Sequence, residues 1–498
     1  MRSIVPTRRP LALLAASLML FAAACGSTVP KAQLQQALAG GQNQGLAPGA
    51  VSTAPGQPGS VPAGGAPTGV AIGPGAVVPG ISSGGTLGPG VTDSTIYVGG
   101  VYLKNGGEGN AAAGAANLDP GDFRKVYNAV IEQINKEGGV AGRKLSAVYA
   151  EIDVTSSQTI DQQAQSACAK WTQDNKVFAI VAGIQGNVVQ ECTEKAHAVN
   201  IVAGAGSSLP DDFRRYPHYV EVSGMNLVRM GSVTVSGLKA QNYFDPGAKL
   251  GIITWDATNY RISLEHGFLP ALKKVGVTPA TQPVYVHVPQ SFNDLGGMNS
   301  SVNSAVLKFA DLGITHVMIV DGAAGVCAGA CLGYQFMNQA ESQQYRPRYG
   351  FNEYNYADSS VGTLYPARQM PRSVAVVWSD DEEADDVGWR PNPARERCYK
   401  LMRDKGVPME NDNQLQSARA ACEQLWFMRA VVAKMGNAVL NNDNFMSAVN
   451  TMGTSFQPID TYLSRLTATQ HDGASAVRNQ AFFESCTCFQ YTSNPYLV

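Results

Sequence analysis

The stretch Asn128-Ala-Val-Ile-Glu-Gln-Ile-Asn-Lys-Glu-Gly-Gly-Val-Ala-Gly-Arg-Lys144 ends a helix, turns, and leads into a strand. Upstream and within it, Phe123, Val126, Val130, Ile131 and Ile134 recur at helical spacing, which predicts a helix over 122–137. Gly138 and Gly139 stop it, because glycine enters the left-handed region at a helix end without a Cβ clash. Before the helix, residues 95–103 (Thr95-Ile-Tyr-Val-Gly-Gly-Val-Tyr-Leu103) are β-rich; after it, residues 145–152 read as a second strand. The unit is strand, helix, strand.

Outward from this unit the alternation continues. A helix is predicted over 157–175, a buried strand over 177–183, a helix over 187–199, and strands over 201–205 and 219–222. The pattern then restarts, with strands at 250–255, 284–287 and 317–320 and helices near 259–275, 298–312 and 332–344. Repeated βαβ order argues for parallel sheets covered by helices on both faces. The fold class expected is therefore α/β, with two doubly wound parallel-sheet lobes. Ligands of such sheets bind outside the carboxyl ends of the strands, so two facing lobes define one cleft.

The N-terminal part has a different character. Arg2, Arg8 and Arg9 precede an uncharged apolar run over 11–24, which is shorter than the roughly 20 residues needed to span a bilayer. Residues 1–24 read as a secretory signal peptide, and Thr7-Arg8-Arg9-Pro10-Leu11 faintly resembles a twin-arginine signal. Ala22-Ala-Ala-Cys25 reads as a lipobox, with Ala22 where Leu is usual, so Cys25 is the expected lipidation site. Residues 25–91 are a lipid-anchored tether. From 40 to 90 there are 16 Gly, 8 Pro and no charged residue, too little apolar surface to offset ordering entropy.

The chain holds 37 basic and 39 acidic residues, a net charge of −2, which gives no electrostatic footprint for nucleic acid. Of nine Cys, eight remain once Cys25 is set aside, an even number that suits an oxidising compartment. Local pairs (Cys327 with Cys331, Cys398 with Cys422) and crossed pairs involving Cys486 and Cys488 are both open to the sequence.

Gly90-Val-Thr-Asp-Ser-Thr-Ile-Tyr-Val-Gly99 and the stretch 128–144 resemble the opening strand, first helix and Gly-Gly turn of type I periplasmic binding proteins, in their branched-chain amino-acid-binding branch. The resemblance runs from 90 to about 380; the acidic stretch 380–386 and the extra Cys depart from it. It implies two lobes joined by three hinge strands. Lobe one would take 92–224 and, on the return, 357–440. Lobe two would take 225–356, with 441–498 partly in lobe two. It also implies a disulfide between Cys168 and Cys192, on the helices after the second and third strands.

The implied function is an extracytoplasmic solute-binding lipoprotein, held at the bacterial cell membrane only by its anchor. It would capture a small polar ligand, such as an amino acid or amide, and deliver it to an ABC permease. The alternative is a sensory or protein-interaction receptor of the same fold without transport. A monomer without cofactor or metal is expected. Lobe one would offer Gly183-Ile-Gln-Gly-Asn187, with Gln185 and Asn187 where the family usually has Ser or Thr hydroxyls, and Gly204-Ala-Gly-Ser-Ser208, with Ser207 and Ser208. Helix N-termini there would supply N–H donors. Lobe two would offer Tyr260, from Asp256-Ala-Thr-Asn-Tyr260, and Asp321. Tyr102, Phe351 and Tyr354 are further candidate cleft aromatics.

Enzyme signatures do not assemble. Gly106 and Gly109 lie near a strand end, but Gly106 and Gly107 are adjacent and G-x-G-x-x-G does not form. The six His are scattered, and neither G-x-S-x-G nor H-E-x-x-H occurs. No catalytic residue is expected. Cys486-Thr-Cys488 lacks the further Cys or His spacing of a zinc site.

Overall fold

A computed structural model describes residues 85–112, 115, 119–182, 186–204, 206–379 and 392–498. The signal peptide, Cys25, nearly all of the tether, Gln185 and the acidic stretch 380–386 lie outside the described residues.

Residues 122–144 form the expected helix, turn and strand. Helix α1 (Phe123–Lys136) is capped by Asp122, whose side chain accepts from the Arg124 N–H at 3.0 Å. It buries Val126, Val130, Ile131 and Ile134. At Gly139, with φ +78°, the N–H returns to the Ile134 carbonyl at 2.9 Å, and a Cβ there would run into the Arg143 carbonyl. The chain then enters a strand paired in parallel with its predecessor.

The first sheet comprises β1 (Thr95–Lys104), β2 (Lys144–Asp153), β3 (Ala179–Ala182), β4 (Val199–Val202) and β5 (Tyr219–Glu221), all parallel, in the order β2-β1-β3-β4-β5. The second contains β6 (Leu250–Trp255), β7 (Val284–Val286), β8 (His316–Val320), β9 (Arg348–Asn352) and β10 (Val374–Val377), in parallel order β7-β6-β8-β9-β10. Both sheets therefore reverse direction of winding between their first and third strands, where a doubly wound sheet opens a crevice. Antiparallel β11 (Ala476–Phe483) and β12 (Cys488–Tyr491) extend the second sheet.

Two departures from the sequence reading have local causes. The helix expected over 187–199 ends at Lys195, because His197 adopts φ +51° and turns the chain, so the next strand begins at Val199 rather than 201. Strands β9 to β12 were not read as strands; short apolar runs carry no decisive period.

Each sheet has its own core. Val98, Val130, Ile180 and Ile201 belong to the first; Ile252, Phe309, Met318 and Phe351 to the second. The partition of the C-terminal half corrects the expectation. β10 lies inside the second sheet, so residues 357–378 pack with the second core rather than returning to the first. The return is made by helices Pro393–Asp404, Asp412–Met435 and Asn442–Val449, which bury Met402, Leu425, Phe427 and Phe445 against the first core. The last segment goes back again through β11. The chain thus passes between the cores three times. These passages lie together: the Gly473 N–H meets the Glu221 carbonyl at 2.8 Å, and the Thr461 hydroxyl meets the Trp378 carbonyl at 2.7 Å.

Candidate functional site

The carboxyl ends of both sheets face one another across two adjoining cavities. The larger, about 330 Å³, follows β1 and β2 through Leu103 and Val154 and is walled opposite by Phe292, Leu295, Met298 and Val326. Phe123 and Tyr334 add aromatic surface, and Asn413 and Gln416 come from the first turns of helix Asp412–Met435. The smaller, about 230 Å³, lies beyond Phe123, Tyr356 and Arg419, which border both. It sits against Val202 at the end of β4, Glu353 and Tyr354 just after β9, and Trp378 just after β10.

The smaller cavity is the polar one. Glu353 accepts from the Trp378 N–H at 2.7 Å, the Ser379 N–H at 3.1 Å and the Ser379 hydroxyl. Arg419 donates through Nε to Asp460 at 2.6 Å. The Tyr127 hydroxyl donates to Gln424 Oε1 at 2.5 Å. Tyr354 is 5 % exposed and stands edge-on to Trp378.

Behind this wall two buried carboxyls lie at the passages between the cores. Burial, with repulsion from Asp460, pushes Glu423 up to about 8; it holds the Ser223 hydroxyl and the Ile459 N–H. Burial pushes Glu221 up to about 7, against the stabilising hydrogen bond from the Tyr219 hydroxyl.

One rim of the cleft is shut by direct contact between the lobes. The Tyr260 hydroxyl reaches the Gly206 carbonyl at 2.9 Å and the Ala323 carbonyl at 3.0 Å. The Asn259 amide donates to the Ser207 carbonyl at 2.9 Å, and the Ala323 N–H to the Gly206 carbonyl at 3.1 Å. On another edge the Ile160 N–H meets the Gln290 carbonyl at 3.0 Å.

This geometry relocates the residues singled out from sequence. Ser207 accepts through its carbonyl from Asn259 and Tyr260 donates to the Gly206 carbonyl, while the Ser208 carbonyl accepts from the Leu227 N–H; none of the three lines either cavity. Asp321 is fully buried and engaged by the Trp255 indole N–H at 2.9 Å and the N–H groups of Gly322 and Gly333. Burial pushes its carboxyl up to about 6, partly offset by those donors. It braces the loop after β8 rather than facing a ligand, because three donors already close around it. Tyr102 carries the Arg124 guanidinium 3.7 Å above its ring, and Asn187 is exposed at the start of its helix. Phe351 is stacked between Tyr349 and Tyr365 in the second core. Of the candidate aromatics, Tyr354 lines the site. Phe123, Phe292, Glu353 and Arg419 were missed. Only Asn352-Glu-Tyr-Asn-Tyr356, polar and aromatic directly after a strand, carried a local signal.

Neither a family model nor a curated protein matches the chain. Solved structures do resemble it. A fatty acid ABC transporter substrate-binding protein from Thermomonospora curvata aligns at TM-score 0.57 and 16% identity, covering 83% of this chain and 95% of that one. A branched chain amino acid ABC transporter protein from Thermus thermophilus with bound valine aligns at TM-score 0.56 and 14% identity, covering 81% and 96%. A solute binding protein of an ABC transporter from R. palustris, in complex with 4-hydroxybenzoate, aligns at TM-score 0.57 and 14% identity, covering 81% and 97%. The fold is that of these two-lobed substrate-binding proteins.

Proposed function

We propose that the chain is an extracytoplasmic solute-binding protein that closes two lobes around one small molecule and hands it to an ABC permease. The observation that carries this reading is the pair of cavities between two separate cores, flanked by hydrogen bonds that join one lobe to the other. A ligand touching both lobes binds the closed state better than the open one, and that difference alone can shift the population. Three solved structures of the same fold carry ABC transporter descriptions, and two of them hold a small molecule, valine or 4-hydroxybenzoate. In this reading Cys25 is acylated and attaches the chain to the membrane. Binding without chemical change is the expected outcome in this reading.

The test is a thermal-shift screen of solutes on the purified chain, followed by small-angle scattering with the best one. A true ligand should stabilise the fold by about 2.7 kcal/mol at a hundredfold excess over Kd and reduce the radius of gyration. A screen without any stabilising solute, or a bound solute recovered chemically altered, would reject the reading.

A further inference from the structure

Hydrocarbon dominates the lining of the larger cavity. Phe123 and Val154 stand on the side of the first sheet, and Phe292, Leu295, Met298 and Val326 on the side of the second. Cys327 and Cys331 also line it, and the bond between them leaves no thiol there. The polar side chains of the lining are amides and hydroxyls, apart from Asp412 and Arg419. Those two are of opposite charge, and both already have partners within the protein. Among the described residues the lining therefore carries no net charge, and what it rewards is the removal of apolar surface from water. Its volume, about 330 Å³, lies in the range of roughly 300–1,000 Å³ that takes drug-sized molecules.

The positions from which the sequence resemblance would recognise an amino acid lie elsewhere. Ser207, Ser208 and Tyr260 line neither cavity, and Asp321 is closed in by three donors. A carboxylate and an ammonium are each costly to take out of water without an ionic partner. In the larger cavity they would meet amides, hydroxyls and two charges already engaged. A hydrocarbon chain bears no such cost and gains with each methylene buried. The wall that receives it is also preformed. The Val326 N–H is held by the Pro289 carbonyl at 2.9 Å, and the Cys327–Cys331 bond closes the loop beside it, so little ordering remains to be done on binding.

Resting on the solute-binding reading, we infer that the ligand is a molecule with an extended hydrocarbon chain, held chiefly by burial of that chain between Phe123 and Val154 on one side and Phe292, Leu295 and Met298 on the other, and that it is not an amino acid. The chain touches both lobes, so its burial is the contact that joins them.

The test uses the full chain and the straight-chain primary alcohols from hexanol to dodecanol, with leucine and phenylalanine for comparison. Isothermal titration should show affinity rising about three- to fourfold with each added methylene, then levelling off where the cavity is filled. Val326→Trp, which fills the cavity from its wall, should move the levelling point to a shorter alcohol. Val154→Thr, close to isosteric and on the opposite wall, should weaken the longest alcohols about fivefold. The inference is overturned if affinity does not grow with chain length, if neither variant alters the series, or if none of the alcohols binds. Binding of leucine, phenylalanine or another amino acid more tightly than every alcohol would overturn the inference and leave the solute-binding reading standing. No stabilisation by these probes or by any solute of the wider screen would remove both.

Discussion

Glu423 shows how a single side chain couples the interlobe passages to pH. It is fully buried, holds the Ser223 hydroxyl and the Ile459 N–H, and is faced by Asp460 and Arg395. Burial raises its pKa to about 8, so the native state keeps a proton that the unfolded chain gives up in the ordinary carboxyl range. Stability therefore falls as pH rises from that range through about 8, by about 1.4 kcal/mol per pH unit at the steepest for this one group. Glu221, pushed to about 7, contributes in the same direction but is largely titrated above neutrality. The slope left between about pH 7 and pH 8 should thus belong mainly to Glu423. Glu423→Gln should flatten it, read by urea unfolding at several pH values. An unchanged slope would mean that the carboxyl is ionised in the native state. At this scale the candidate site was hardly legible from sequence. Tyr354 follows a strand and could be noticed, whereas Phe123 opens one helix and Arg419 lies within another, and they reach the site only through the packing of elements distant in sequence.

Helices and strands were far more legible, because their signals are local. The 3.6-residue period of α1 and the glycine pair after it specify both the helix and its end. Helix Ile160–Ala169 carries a capping box, Thr159 with Gln162, which sets its start. The disulfides tie elements that are near in sequence: Cys168 to Cys192 and Cys398 to Cys422, with Cα atoms 6.3 and 6.0 Å apart. Cys327 pairs with Cys331 beside the larger cavity, and Cys486 with Cys488 in the turn after β11. The local pattern is the one formed. Cys168–Cys192 closes a loop that the unfolded chain would otherwise explore, a constraint of about 3 kcal/mol in the chain-entropy account. The double substitution Cys168→Ala with Cys192→Ala should lower the unfolding free energy by about that amount while leaving ligand affinity within twofold, since neither Cys lines a cavity. Recovery of either as a free thiol in non-reducing peptide mapping of the native chain would contradict the pairing.

For the whole molecule, the decisive quantity is how the chain divides between two cores. Each core is continuous in space but assembled from separate segments, which three passages of the chain connect. Glu221, Trp378 and Thr461 lie on different passages, and hydrogen bonds tie these into one bundle. Upstream, the proposal of a lipid-anchored tether has its own test. Cys25→Ser should release the protein from the membrane fraction, with the binding profile of the soluble form unchanged; an unmodified Cys25 in the wild-type protein would reject anchoring.

The sequence by itself determined the class of fold, the two βαβ runs and the positions of most helices, because hydrophobic period, capping and glycine turns act over a few residues. Tertiary structure alone decided that β10 joins the second sheet, that helix Asp412–Met435 returns to the first core, and that Asp321 is walled in by donors while Tyr354 faces a cavity. Those outcomes depend on which distant surfaces bury one another, and the burial of a side chain is a property of its neighbours rather than of its own stretch of chain.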